Sequence, residues 1–188
     1  MKRAFCAFFM MAAFLVTTPA AANVDPRGKD GSPRITQLLL DKSARRLYLL
    51  QGRTPVRSYA VDLGPNPTGH KENRGDGRTP EGLYHITHRN PRSSYFLSLG
   101  ISYPNAQDRA RAHALGRDPG GDIFIHGRGP QGNNLFPRQR DWTAGCIAVT
   151  DEEIQEIYAM LMPGTPEDAA LDVMRRLLGT LAATPMHT

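Results

Sequence analysis

Apolar positions in this chain come in short groups separated by turn residues. Residues 35–40 are apolar-rich, Asp41-Lys42-Ser43 reads as a turn, and residues 46–50 alternate loosely. A second turn over 52–55 leads into residues 56–63, where Val56, Tyr59, Val61 and Leu63 mark one face. Three short strands divided by turns predict an antiparallel meander. Residues 64–82 are too rich in glycine and proline for a regular element and predict a long loop. Further strands are predicted over 83–88, near 97–103 and over 122–126, with a helix over 105–115 that ends at Gly116. Residues 127–141 read as a loop. After Val149, Thr150 and Glu153 have the spacing of a capping box, and Ile154, Ile157, Tyr158 and Leu161 give the buried face of a helix that stops at Pro163-Gly164. Helical composition resumes over 167–178 and predicts a second helix with a tail to residue 188.

The first residues do not fit this plan. Lys2 and Arg3 precede an uncharged apolar run over 4–16, and Ala20-Ala21-Ala22 offers small residues for cleavage. This is the layout of a secretory signal ending at Ala22, with residues 23–33 as a solvated leader. The run is shorter than the about 20 residues a membrane span needs. No second apolar stretch follows, so no stable membrane insertion is expected after cleavage. Removing 22 residues leaves 166, enough for one domain with a core. It also leaves 21 basic against 18 acidic side chains, a formal charge of +3. That mild excess shows no Lys/Arg block, so no nucleic-acid partner is expected. The 18 glycines and 15 prolines favour a loop-rich, strand-rich fold over a helical bundle.

The chemistry centres on one thiol. Beyond Cys6, which lies in the leader segment, Cys146 is the sole cysteine, in the run Asp141-Trp142-Thr143-Ala144-Gly145-Cys146-Ile147-Ala148-Val149. Outside the cytosol a lone thiol is unusual. A strand ending at His126 supplies a base to activate it, and a helix start nearby would favour the thiolate. Gly145 leaves space for a substrate carbonyl, and the amides of Gly145 and Cys146 can face a developing oxyanion. Cys, His and free amides are the minimal set for acyl transfer through a thioester. His85 and His88 are three apart on a predicted strand and face opposite sides, so no metal site is expected. The glycine-rich run 75–82 lacks the spacing of a phosphate loop.

Ile125-His126-Gly127 together with Thr143-Ala144-Gly145-Cys146-Ile147 resembles the signature of the L,D-transpeptidase (YkuD-type) catalytic domain. Val61-Asp62-Leu63-Gly64, the run from Gly75 to Gly82 leading into Leu83-Tyr84, and Ile101-Ser102-Tyr103-Pro104-Asn105 agree with it, and the likeness spans residues 34–166. The resemblance implies a mainly β sandwich or barrel with a few helices, one of them after the catalytic cysteine. It implies a secreted enzyme of the periplasm or cell envelope that acts on peptidoglycan stem peptides without metal or organic cofactor. Cys146 would be the nucleophile, His126 the general base, Gly145 and Cys146 the oxyanion amides, and Thr143 and Gly127 supporting residues. The acyl-enzyme would be resolved by an amine of another stem, by a lysine of a wall-linked lipoprotein, or by water. Ala144 and Ala148 stand where the usual pattern has a second histidine and an Arg or Asn. This form resembles a branch with amidase-like members, so transfer, hydrolysis and a non-catalytic wall-binding role all stay open. Arg128, Arg138 and Arg140 are candidates to grip a stem carboxylate, and Trp142 and Tyr103 are further candidate substrate contacts, against a packing anchor behind the cysteine loop for Trp142 and a core or cleft-wall position for Tyr103.

Overall fold

The computed structural model describes residues 35–134, 140–161 and 170–174. The predicted meander is present as β1 (Gln37–Asp41), β2 (Arg46–Gln51) and β3 (Thr54–Ala60), antiparallel throughout. Leu38, Leu39 and Leu40 are buried in succession because β1 is an inner strand covered on both faces. Its turn into β2 is tied by Asp41, whose carboxylate accepts from Ser43 Oγ and the Ala44 amide.

β4 (Gly82–Ser93) is longer than the sequence predicts and bends the array in two. Its first residues, Gly82 to His85, pair with β8 (Ala170–Met174); from Ile86 onward it pairs with β5 (Phe96–Ile101). β5 continues to β6 (Phe124–His126), and β6 pairs in parallel with β7 (Ile147–Ala148), a two-residue strand that the sequence pattern did not indicate. Among the described residues the strand order is β3-β2-β1-β8-β4-β5-β6-β7. A bridge between Asp62, just past β3, and Ala148 of β7 joins the two ends through reciprocal 2.9 Å amide–carbonyl bonds. The result is a nearly closed, mainly β domain.

The helix expected over 167–178 is corrected by β8. Residues 170–174 form a strand parallel to β1 and antiparallel to β4. Ala, Leu and Met favour a helix locally, but a strand in this slot satisfies the amide and carbonyl groups of two neighbours at once, which outweighs propensity. The rest of the expected helix lies outside the described residues.

Among the described residues there are three helices. α1 (Ala106–Ala114) starts at a capping box of Asn105 and Asp108. α2 (Gly129–Asn133) is a single turn inside the expected 127–141 loop. α3 (Asp151–Met160) begins at the Thr150–Glu153 capping box and buries Ile154 and Ile157. These two side chains complete one core with Leu63, Leu99, Ile125 and Ile147, directly beneath the β6–β7 pair.

Candidate active site

The parallel pairing of β6 with β7 brings the two chemical residues together. Ile125 lies opposite Ile147 and His126 opposite Ala148, so Cys146 sits one residue before a ladder whose last rung carries His126. The buried His126 ring is fixed by its own strand end: Nδ1 donates to the Gly127 carbonyl at 2.6 Å. A carbonyl only accepts, so this contact puts the proton on Nδ1 and leaves Nε2 as the basic nitrogen. The Cys146 thiol donates to the Asp122 carbonyl at 3.4 Å. The imidazole and the thiol stand at neighbouring strand positions, each with its own hydrogen bond and none between them. Catalytic contacts of this kind commonly tighten only when substrate is bound.

Electrostatics favour the neutral form of both groups. Burial lowers the pKa of His126 against the opposing effect of the Gly127 carbonyl. Burial raises the pKa of Cys146, while the Phe124 amide and the charge of Lys71 pull it back and Asp122 adds to the rise. The expected helix start follows the cysteine at Thr150. Cys146 leads into β7, and α3 begins only at Asp151, with its first turn filled by Asp151, Glu152 and Glu153 and its cap by Thr150.

The turn that presents Cys146 is built by Thr143. Its hydroxyl donates to the Cys146 carbonyl at 2.8 Å and accepts from the Gly145 amide at 3.1 Å. The Gly145 N–H is thus engaged within the turn, and a substrate oxygen has to compete with Thr143 for it. Gly145 itself adopts φ +124°, and a Cβ there would stand 2.5 Å from the Arg78 carbonyl. Only glycine meets both conditions. Ala144 is exposed and offers no side-chain donor.

On the far side of His126 an aromatic group closes the site. The Tyr95 ring lies 4.5 Å from the imidazole, centroid to centroid, and Trp142 lies 5.8 Å from it edge-on. Trp142 is half-buried, with Nε1 donating to Asp62 Oδ2 at 3.2 Å. Arg128 donates to the same Asp62 oxygen at 2.8 Å and to the Gly132 carbonyl at 3.3 Å, and its guanidinium lies 5.7 Å from the indole. With 9% of its surface exposed, Arg128 is held inside the domain. Arg140 is exposed at a pocket of about 410 Å³ that Arg128, Asp62, Ala148 and Glu153 also line. Arg138 lies outside the described residues. Of its alternatives Tyr103 takes the core: it is buried against His70 and Tyr84, and its hydroxyl donates to the Pro119 carbonyl at 2.8 Å.

Sequence reasoning assigned no role to Asp62, Tyr95 or Lys71. Asp62 carries a signal, since a carboxylate interrupts the apolar run Val61-Asp62-Leu63. Tyr95 carries none, because its contact with His126 is made across the β4–β5 hairpin. Among the described residues no group of three His, Cys, Asp or Glu side chains could hold a metal ion, and no helix is long and apolar enough to cross a membrane.

Residues 36–168 match the family model of YkuD, the L,D-transpeptidase catalytic domain. The chain belongs to this family. YafK of Escherichia coli (strain K12), a protein assigned as an L,D-transpeptidase, is 29% identical over 133 residues, which cover 68% of this chain and 47% of YafK. The chain thus spans about half the length of the curated relatives it matches. Among solved structures, the helical cell shape determining protein Pgp2 of Campylobacter jejuni superposes with a TM-score of 0.60 at 22% identity, covering 77% of this chain and 49% of Pgp2. Bd1075 of Bdellovibrio bacteriovorus gives 0.52 at 23% identity, covering 76% of this chain and 48% of that one. These two likenesses establish the fold. The family acts on peptidoglycan, and its homologues are enzymes of the cell envelope.

Proposed function

We propose that this L,D-transpeptidase domain is a cysteine-dependent acyltransferase acting on peptidoglycan stem peptides in the cell envelope. The observation that carries this reading is the placement of Cys146 one residue before the β6–β7 ladder whose last rung carries His126, with the Gly127 carbonyl holding the imidazole in the tautomer of a base. His126 Nε2 accepts the thiol proton as Sγ attacks the carbonyl at the L-centre of the third stem residue. The Cys146 amide, with the Gly145 amide released from Thr143, stabilises the oxyanion. The C–N bond to the terminal D-alanine then breaks, and His126 returns the proton to the departing amine. The thioester left on Cys146 is resolved by an amine of a second stem or of a wall-linked lipoprotein. Because both groups rest neutral, the proton moves during attack and no thiolate–imidazolium pair is stored beforehand. Residues 1–22 are the export signal in this reading, and 23–33 the leader to the domain.

A second reading, hydrolysis of the same thioester, is favoured by one feature. Ala144 and Ala148 provide no side-chain donor to hold an acceptor, and Ala148 lines the open pocket at Arg140. Incubating the chain with purified sacculi and with a disaccharide-tetrapeptide, followed by mass analysis of products, separates the two. Cross-linked dimers support transfer; tripeptide or released stems alone support hydrolysis. Cys146→Ala is expected to abolish either product. Unchanged substrate with the unsubstituted chain, or full activity of Cys146→Ala, overturns the proposal and leaves a wall-binding role.

A further inference from the structure

The glycine-rich loop over 64–82 takes no part in the chemistry just described, yet its backbone meets the nucleophile turn at the closest approaches in the site. A Cβ on Gly64 would stand 2.1 Å from the Gly77 carbonyl oxygen and 3.1 Å from the Gly145 amide nitrogen; one on Gly145 would stand 2.5 Å from the Arg78 carbonyl oxygen. Three backbone segments are packed with no side chain between them. The position of Gly145, and hence of Cys146, follows the position of residues 77–78.

Those residues are set by a buried knot. Asp76 Oδ1 accepts from Lys71 Nζ at 2.8 Å and from the Arg78 amide at 3.1 Å; Oδ2 accepts from the amides of Glu72 at 2.8 Å and Asn73 at 3.1 Å. Lys71 also donates to the Asn73 carbonyl at 3.1 Å, and its side chain is 3% exposed. A carboxylate taking four such bonds cannot shift without leaving several buried groups unpaired. Burial by itself would raise the Asp76 carboxyl, but Lys71 and the three amides outweigh it and hold the group below its ordinary value.

We propose that the Lys71–Asp76 ion pair is a positioning element for the nucleophile: it knots residues 71–78 so that the Gly77 and Arg78 carbonyls fix the Gly145–Cys146 turn, and it keeps a cation on the side of the sulfur. The catalytic part of this claim rests on Cys146 being the nucleophile. The charged and polar groups acting on the sulfur are Lys71, which favours the thiolate, Asp122, which opposes it, and the Phe124 amide, with neutral His126 across the ladder.

The test is the pH dependence of Cys146 alkylation by a small haloacetamide, read peptide by peptide on the full chain beside a thermal melt. Replacing the pair by apolar residues in Lys71→Met/Asp76→Leu keeps the volume and removes the cation. Its alkylation midpoint is expected to rise by about half a pH unit, with about threefold slower reaction at neutral pH. Asp76→Asn is nearly isosteric and leaves Lys71 without its counter-charge, so the midpoint is expected to fall. Lys71→Arg is expected to retain the original midpoint. Opposite shifts cannot come from loosened packing alone. Equal midpoints in all variants, or shifts of one sign, overturn the proposal; where the double variant does not fold, the direction of Asp76→Asn decides. The readout needs no peptidoglycan, so a chain that alkylates as expected but yields no product from sacculi sinks the acyl-transfer reading and leaves this one standing.

Discussion

Residues 64–82 approach the nucleophile turn through buried charge, whereas Tyr95, Arg128 and Trp142 close the opposite side largely with rings. In the first region Lys42 is 1% exposed and donates to the Gly69 carbonyl at 2.6 Å, the Thr79 carbonyl at 2.7 Å and Glu81 Oε1 at 3.1 Å. Lys71 and Asp76 repeat the device a few residues on, and His70 Nε2 meets Asp108 Oδ1 at 3.2 Å. In the second region one carboxylate, Asp62, holds an arginine and an indole, and the rings of Tyr95 and Trp142 flank His126. The difference teaches how labour is divided. Ionic ties fix where the backbone of an irregular loop goes, because a loop with so many glycines has no side-chain core of its own. Aromatic cover sets the protonation state of the base, because it removes water without adding charge.

Removing chemistry from the aromatic side should have the largest effect. His126→Ala is expected to slow acylation by a β-lactam or stem-peptide probe by about 10²–10⁴-fold, the usual contribution of a general base. The fold should persist, since the cavity lies at a strand end. A stopped-flow acylation rate within a few-fold of the original would show that the aromatic side holds no base.

Next in size is the ionic side. Lys42→Met removes the ammonium from two carbonyls and leaves Glu81 part-buried without its partner. Breaking a buried pair in this way costs about 3–5 kcal/mol. The loss should appear in denaturant unfolding, with Cys146 alkylation becoming faster as residues 64–82 loosen. A stability change below about 1 kcal/mol would mean that the loop is held by its glycine packing instead of by charge.

The smallest effect expected is a pH shift. Burial holds His126 below its ordinary value of 6.5, so the neutral base persists under that pH and the acid limb of acylation falls below 6.5. Tyr95→Ala opens the ring to water and lets the value climb back, so the acid limb should move up toward 6.5 with little change at the plateau. A limb that stays in place, or moves down, would show that Trp142 and the core alone desolvate the imidazole.

The lone thiol, the histidine at a strand end and most strands were legible because each is written locally. An apolar run marked β1, alternation marked β2 and β3, and the Thr150–Glu153 spacing marked α3. What stayed hidden depends on partners far along the chain. β8 was read as helix because Ala170, Leu171 and Met174 favour one, and the slot between β1 and β4 that overrides them is more than 80 residues away. β7 is two residues long, below any period that can be counted. The aromatic neighbours of Tyr103 do not tell core from cleft wall; its burial and its hydroxyl bond to the Pro119 carbonyl do.

The amino-acid order by itself determined a lone thiol next to a glycine, a histidine at a strand end, and a mainly β chain with one capped helix behind them. Only the tertiary structure decided that burial disfavours the charged form of both His126 and Cys146, that Thr143 holds the Gly145 amide, and that the Arg78 carbonyl lies against the Gly145 turn. The reason is physical. Residue type and spacing set which local conformations are low in energy, but desolvation and charge act through space, and their values exist only once distant segments are packed together.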